Sequence, residues 1–343
     1  MNTYLSSLRK GLRKAMDDFP NTVLIGEDIV DPYGGAFKVT KGLSSKFPDR
    51  VISTPISESA IIGLSTGLAI RGYQPVTEIM FGDFLTLCAD QIINSATKFF
   101  SMFNGKVRVP LLIRTPVGGI RGYGPTHSQS IEKIFFGIPG LIIISPSIVH
   151  NPGKIVYQII KKKIPSPVLF LEDKSDYPKK LISKNHPILN IKSLNTNFLV
   201  PNLEITNYKH TNYDVDIILI SYGGGASFSC EVLEELFEEE INIKMIVPAL
   251  INDIICLKKI ASYLKNEDMI LIIEQGTSNF NWSSELASLI YSKSSIKTKL
   301  KISRLSAKND IIPASKVKEK EILVTKTKIK AKIIEMIENK YNV

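Results

Sequence analysis

Leu5, Leu8, Leu12 and Met16 recur at helical spacing, so the chain is expected to open with a helix. A short apolar run at 22–25 predicts a strand that ends in Gly26-Glu27-Asp28. The stretch 31–40 holds Pro32, Gly34 and Gly35 and reads as an irregular loop. After a brief strand at 51–53, Ser57 is placed to cap a helix over 59–70, with Glu58 in its first turn. Gly63, Ser65, Gly67 and Ala69 give that helix a small-residue side that another backbone can approach. Strands are predicted at 75–80, 110–114, 141–145 and 167–172, with a long helix over 84–100 and another over 151–162. The run Leu-Ile-Ile-Ile-Ser at 141–145 has the unbroken apolar character of a strand buried on both faces. Residues 173–213 change character, with Pro178, Pro187 and Pro201 among Asn and Lys, and read as a linker with short strands. A second alternating unit follows. Its strands are expected at 217–221, 244–247, 269–274 and 299–304, and its helices at 227–239, 253–264 and 283–292. A glycine turn at 223–225 precedes the first of these helices, and a basic helix closes the chain. Strands alternating with helices imply an α/β protein with two doubly wound, mostly parallel sheets.

Composition narrows this picture. At 343 residues the chain is long enough for two cores, and 44% hydrophobic and 22% charged residues are ordinary for a globular protein. No run approaches the roughly 18 apolar residues that a membrane span requires. The amphipathic start, with Arg9, Lys10, Arg13 and Lys14, does not read as a signal peptide, so a cytoplasmic location is expected. Cys88, Cys230 and Cys256 lie far apart and read as reduced core thiols. The net charge of +10 sits in lysines that are dispersed, or gathered at 161–163 and 316–340, without interleaved aromatics. No nucleic acid is therefore expected as a partner.

Two segments carry candidate chemistry. Residues 54–58 read Thr-Pro-Ile-Ser-Glu, and residues 124–130 read Gly-Pro-Thr-His-Ser-Gln-Ser. The first places a carboxylate at a helix start, and the second a histidine in a Gly-flanked turn. Together they resemble the beta subunit of the thiamine-diphosphate-dependent 2-oxo acid dehydrogenases, the decarboxylating component of pyruvate and branched-chain complexes. Gly34-Gly35-Ala36-Phe37, Asp90-Gln91-Ile92-Ile93-Asn94 and Pro139-Gly140-Leu141 extend the likeness, and Glu274-Gln275-Gly276 and Ile312-Pro313-Ala314 fit it more loosely.

The resemblance implies a transketolase-like pyrimidine-binding domain over 1–175, a linker over 176–213 and a transketolase C-terminal-like domain over 214–343. It implies oxidative decarboxylation of a small 2-oxo acid with acyl transfer to a lipoyl group. Thiamine diphosphate would be shared with an alpha subunit that supplies Mg²⁺, because no Gly-Asp-Gly occurs in this chain and no metal ligand is assigned to it. The implied assembly is an α2β2 heterotetramer that works with a lipoyl-bearing dihydrolipoyl acyltransferase. Within it, Glu58 would hydrogen-bond N1′ of the pyrimidine, Phe84 would stack on the ring, and Met80 and Ile56 would line the pocket. His127 would stabilise charge or deliver a proton during acyl transfer. Without the resemblance, Glu58 would read as a first-turn acid favoured by the helix dipole and Phe84 as core. His150, His186 and His210 have no comparable context.

The chain departs from the family pattern in three places. Phe136-Gly137-Ile138 stands where a second histidine is frequent. Lys161-Lys162-Lys163-Ile164-Pro165 replaces an acidic loop that holds potassium in many members. Val247-Pro248-Ala249-Leu250 replaces an Asp-Leu-Arg segment, which alters the surface for the acyltransferase core. Two other readings share the fold: the C-terminal half of a split transketolase, and a scaffold subunit without turnover.

Overall fold

The structure is a computed structural model that describes residues 2–194, 199–208, 214–265, 269–293 and 301–341. Thr3 starts helix α1 (Tyr4–Asp18) through a capping box, the Thr3 hydroxyl accepting from the Ser6 N–H while the Ser6 hydroxyl accepts from the Thr3 N–H. The elements that follow are β1 (Thr22–Gly26), α2 (Leu43–Lys46), β2 (Val51–Ser53), α3 (Glu58–Ile70), β3 (Gln74–Glu78), α4 (Phe99–Met102), β4 (Leu112–Val117), β5 (Ile142–Ile144), α5 (Pro152–Lys162) and β6 (Val168–Asp173). Their strands form one parallel sheet in the order β2-β1-β3-β4-β6-β5. Every residue of β1, β3, β4 and β6 is buried, as expected of strands covered on both faces. Helices α1 and α5 cross where Gly11 meets Gly153: a Cβ on Gly11 would lie 2.1 Å from the Gly153 carbonyl oxygen.

The second group of elements comprises β7 (Asn190–Ser193), β8 (Leu203–Thr206), β9 (Ile217–Ser221), α6 (Gly223–Phe237), β10 (Ile243–Val247), α7 (Ile254–Ser262), β11 (Met269–Thr277), α8 (Trp282–Lys293), β12 (Lys301–Ala307), α9 (Glu319–Ile322) and α10 (Lys326–Tyr341). The sheet order is β12-β11-β9-β10-β8-β7. The pairs β7–β8 and β8–β10 are antiparallel and the others parallel. Leu219, Leu233, Met245 and Leu271 are fully buried in its core, with Ile329 and Ile333 of α10 among them.

The chain divides into two compact units. One runs to Val117 and adds Ile134–Ile144 and Asn151–Leu181. The other takes Gly118–Lys133, Ser145–His150 and the chain from Ile182 onward. Among the described residues no helix is long and apolar enough to cross a membrane.

The structure corrects the predicted elements in three places. The single helix expected over 84–100 is a 3₁₀ turn at Gly82–Thr86, a π-helical stretch at Gln91–Ala96 and the short α4. Within it Thr97 N–H reaches back five residues to the Ile92 carbonyl, the Thr97 hydroxyl bonds the Ile93 carbonyl, and Asn94 bonds Asp90. These widened turns keep Ile92 and Ala96 buried while Gln91 faces Gly63 of α3. The glycines at 223–225 do not form a turn but the first turn of α6. Gly223 and Gly225 are needed there because a Cβ on either would lie 2.6 Å from the Ser145 hydroxyl or 2.8 Å from the Ser221 hydroxyl. Of the strand expected over 299–304, the first two positions lie outside the described residues, and β12 continues to Ala307.

Candidate active site

In the first unit the chain runs β1 then β2 to one side, and crosses back over β1 to lay down β3. The switch point therefore lies between β1 and β3, and ligands of open α/β sheets bind beyond the carboxyl ends of strands at such a point. Glu27 directly follows β1, and Met80 to Phe84 follow β3. Glu58 opens α3 five residues beyond the end of the neighbouring β2, which is tied to β1 by the Thr54 N–H to Gly26 carbonyl bond of 3.1 Å.

Glu58 is buried, at 6% exposure. Ser57 holds the cap position but its side chain makes no capping bond. Among the described residues the Glu58 carboxylate takes no hydrogen bond. Two neighbours register its charge. The Glu27 carboxyl is held above its ordinary range, first by burial and then by Glu58. The Cys88 thiol is pushed up to about 12, again by burial and then by Glu58. Oxygen Oε1 of Glu27 is also buried without a hydrogen-bond partner among the described residues. The rim of the sheet thus brings Glu27 within electrostatic reach of Glu58, and no described residue donates a hydrogen bond to either carboxylate.

Arg114, the largest fully buried side chain, provides the contrast. It donates to Glu78 Oε2 at 2.9 Å and to both oxygens of Glu172 at 2.7 and 2.8 Å, and the Tyr177 hydroxyl adds 2.7 Å to Glu172. Arg114 donates to both of those carboxylates, and no described residue donates to Glu58.

Phe84 is half-buried and ends an aromatic chain: Tyr177 to Phe37 at 5.2 Å, Phe37 to Phe81 at 5.7 Å and Phe81 to Phe84 at 6.0 Å between centroids. Met80 is half-buried beside this chain, whereas Ile56 is 82% exposed. An apolar aromatic face and a carboxylate that no described residue answers are the two features an aminopyrimidine needs, its ring nitrogen offering a donor when protonated. Glu27 and Cys88 were not singled out from the sequence. The carboxylate at the end of an apolar run was a visible signal, but its proximity to Glu58 depends on strand order.

His127 belongs to the second unit. It is half-buried, its N–H reaches the Gly124 carbonyl at 3.4 Å, and its Nδ1 lies 3.0 Å from the Thr126 hydroxyl. The same unit holds a buried acidic cluster that the sequence did not announce. Tyr222 donates to Glu132 at 2.8 Å, and its ring packs edge-on against Trp282 at 5.0 Å. Glu274 accepts the Ser283 N–H at 3.0 Å, and burial raises its carboxyl to about 7. His150 lies buried with Nδ1 on the Ser147 N–H at 3.2 Å, a packing role. His186 faces Glu234 at 3.6 Å, and His210 lies outside the described residues.

The loop after α5 carries no acidic side chain at 161–165. Lys161, Lys162 and Lys163 are exposed there, and the Gln74 amide already donates to the Ile160 carbonyl at 2.8 Å. The adjoining cavity, of about 10 Å³, holds one water at most. Among the described residues no group of three or more His, Cys, Asp or Glu is arranged to hold a metal.

Residues 2–180 match the family described as "Transketolase, pyrimidine binding domain", and 208–329 match "Transketolase, C-terminal domain". The chain is 28% identical over 344 residues to the acetoin:2,6-dichlorophenolindophenol oxidoreductase subunit beta of Bacillus subtilis, covering 96% of both chains. It is 38% identical over 180 residues to the same subunit of Cupriavidus necator, a match that spans 50% of this chain and about half, 53%, of that relative. The mitochondrial pyruvate dehydrogenase E1 component subunit beta of Caenorhabditis elegans is 32% identical over 252 residues, 71% of this chain and 68% of that one. Among solved structures, a split gene transketolase described as an inactive beta4 tetramer superposes with a TM-score of 0.69 over 98% of this chain and 99% of its own, at 15% identity. That likeness concerns the fold, while the sequence relatives are dehydrogenase and oxidoreductase beta subunits, which favours the dehydrogenase reading over a split transketolase. The chain therefore belongs to the family of 2-oxo acid dehydrogenase E1 beta subunits, built on a transketolase pyrimidine-binding domain followed by a transketolase C-terminal domain.

Proposed function

We propose that this chain is the beta subunit of a thiamine-diphosphate-dependent 2-oxo acid dehydrogenase and supplies the proton-managing wall of its active site. The observation that carries the reading is the buried Glu58 carboxylate with no hydrogen-bond partner among the described residues, set at the rim of the sheet's switch point. Thiamine diphosphate, when bound, would supply the nucleophilic carbon that 2-oxo acid decarboxylation requires. Glu58 would hold the aminopyrimidine by accepting a hydrogen bond from its protonated ring nitrogen N1′, and burial would strengthen that bond. Phe84 offers a stacking face, with Met80 beside it and Ile56 at the outer edge. His127 handles a proton or stabilises charge when the acyl group passes to a lipoyl acceptor.

An alpha subunit completes the site in an α2β2 assembly and brings Mg²⁺, and a lipoyl-bearing dihydrolipoyl acyltransferase receives the product. The pyrimidine-binding domain is assigned to 1–175, the linker to 176–213 and the C-terminal domain to 214–343, with a cytoplasmic location. The test is Glu58→Gln in the purified alpha–beta complex, assayed with pyruvate, 2-oxoisovalerate and acetoin. Turnover is expected to fall at least about 100-fold with the assembly intact by light scattering. Undiminished turnover would remove Glu58 from the mechanism.

A further inference from the structure

The loop that carries His127 is rich in glycine. It runs Gly118, Gly119, Ile120, Arg121, Gly122, Tyr123, Gly124, Pro125 and Thr126 before the histidine. Gly118, Gly122 and Gly124 have φ of +86°, +75° and +83°. A segment of this kind is entropically costly to fix, so a defined histidine position requires anchors.

The carboxyl-proximal anchor follows the histidine. Glu132 accepts from Tyr222, and Lys133 donates to the Thr277 hydroxyl at 2.6 Å. On the amino-proximal side, beside the Gly118 N–H to Gln129 carbonyl bond of 3.1 Å, an anchor is Glu319, the first residue of α9. It is fully buried, and its Oε1 accepts the backbone N–H of Gly122 at 2.8 Å. Its Oε2 has no hydrogen-bond partner among the described residues. The loop presses onto the same segment on either side of that bond. A Cβ on Gly119 would lie 2.4 Å from Leu323 and 3.5 Å from Glu319 Oε2, and a Cβ on Gly122 would lie 3.3 Å from the Ala314 carbonyl oxygen.

Burying a carboxylate to satisfy a single backbone N–H is an expensive way to stabilise a four-residue helix, and an apolar side chain would serve α9 better. What Glu319 does achieve is to fix one point of a glycine loop five residues before the imidazole. We propose that Glu319 is a positioning residue for His127, holding the loop so that the imidazole meets the acyl acceptor. The proposal rests on the reading of His127 given above.

The experiment uses the assembled alpha–beta complex with Glu319→Met, which keeps side-chain volume and removes the acceptor, Glu319→Gln, which keeps an acceptor oxygen, and His127→Ala. Three quantities are read: substrate-dependent reduction of 2,6-dichlorophenolindophenol, acyl transfer to a lipoylated acceptor, and tryptic cleavage after Arg121 in the loop. Glu319→Met is expected to lower lipoyl transfer by about 10- to 100-fold while dye reduction stays within about twofold. It is also expected to speed cleavage after Arg121, and Glu319→Gln is expected to restore most of both. Parallel loss of dye reduction and transfer, or unchanged transfer, would overturn the proposal, and so would an unchanged cleavage rate. Transfer that survives His127→Ala would overturn the reading of the histidine itself. The cleavage rate separates that outcome from failure of the anchor.

Discussion

Buried carboxylates in this chain divide by whether the protein answers them. Glu78 and Glu172 are answered by Arg114, and the trio is closed to solvent. Replacing Arg114 with Ala leaves two uncompensated carboxylates and is expected to cost about 3–5 kcal/mol, read as a shift in denaturant midpoint. Glu274 is the titrating case. Its carboxyl rises from the usual 4.5 to about 7, so between those values the unfolded chain has released a proton that the folded chain keeps. Its contribution is therefore full below pH 4.5 and is lost as pH rises to 7, by about 3 kcal/mol, with no further change above. His150, pushed down to about 3 by burial, acts with the opposite sign, its contribution being lost as pH falls below 6.5. The difference between wild type and Glu274→Gln isolates the first effect: the variant is expected to gain relative stability from pH 5 to 7.5 and to hold a constant advantage above. A difference that does not vary with pH would disprove it.

At the level of elements, local pattern was legible where it sufficed to specify structure. The apolar runs of β1, β9 and β11 and the periodic leucines of α1 need no distant information. The start of α3 at Glu58 was likewise legible, though Ser57 caps it without a side-chain bond. The π-helical stretch at Gln91–Ala96 was not, because apolar spacing over one widened turn is nearly the same as over a regular one, and what selects it is packing of Gln91 against Gly63 of a helix laid down earlier. The α1–α5 crossing was also hidden, since Gly11 and Gly153 are ordinary glycines in the sequence. Gly153→Ala would place a Cβ 1.9 Å from the Ser7 carbonyl oxygen, a backbone atom that cannot swing aside. The variant is expected to lose about 1–3 kcal/mol by denaturant titration.

Over the whole molecule, two α/β units were readable from the alternation of strands and helices, and β7 and β8, inside the stretch read as a linker, join the second sheet. The candidate residues were proposed from their motifs. The pairing of Glu27 with Glu58 was not readable, because it arises from β1 and β2 lying side by side. Nor was the membership of 118–133 in the second unit, because its anchors Tyr222, Thr277 and Glu319 lie far along the chain. A fragment ending at residue 181 would lack all three, and its segment 118–133 is expected to be cut by trypsin far faster than in the full chain.

The backbone changes allegiance five times, at 117/118, 133/134, 144/145, 150/151 and 181/182. Hybrid enzymes that join the front half of one homologue to the back half of another at the obvious seam will consequently inherit the histidine from one parent and its footing from the other. Success of such grafts depends on compatibility at Glu319, Tyr222 and Thr277 as much as on the seam itself.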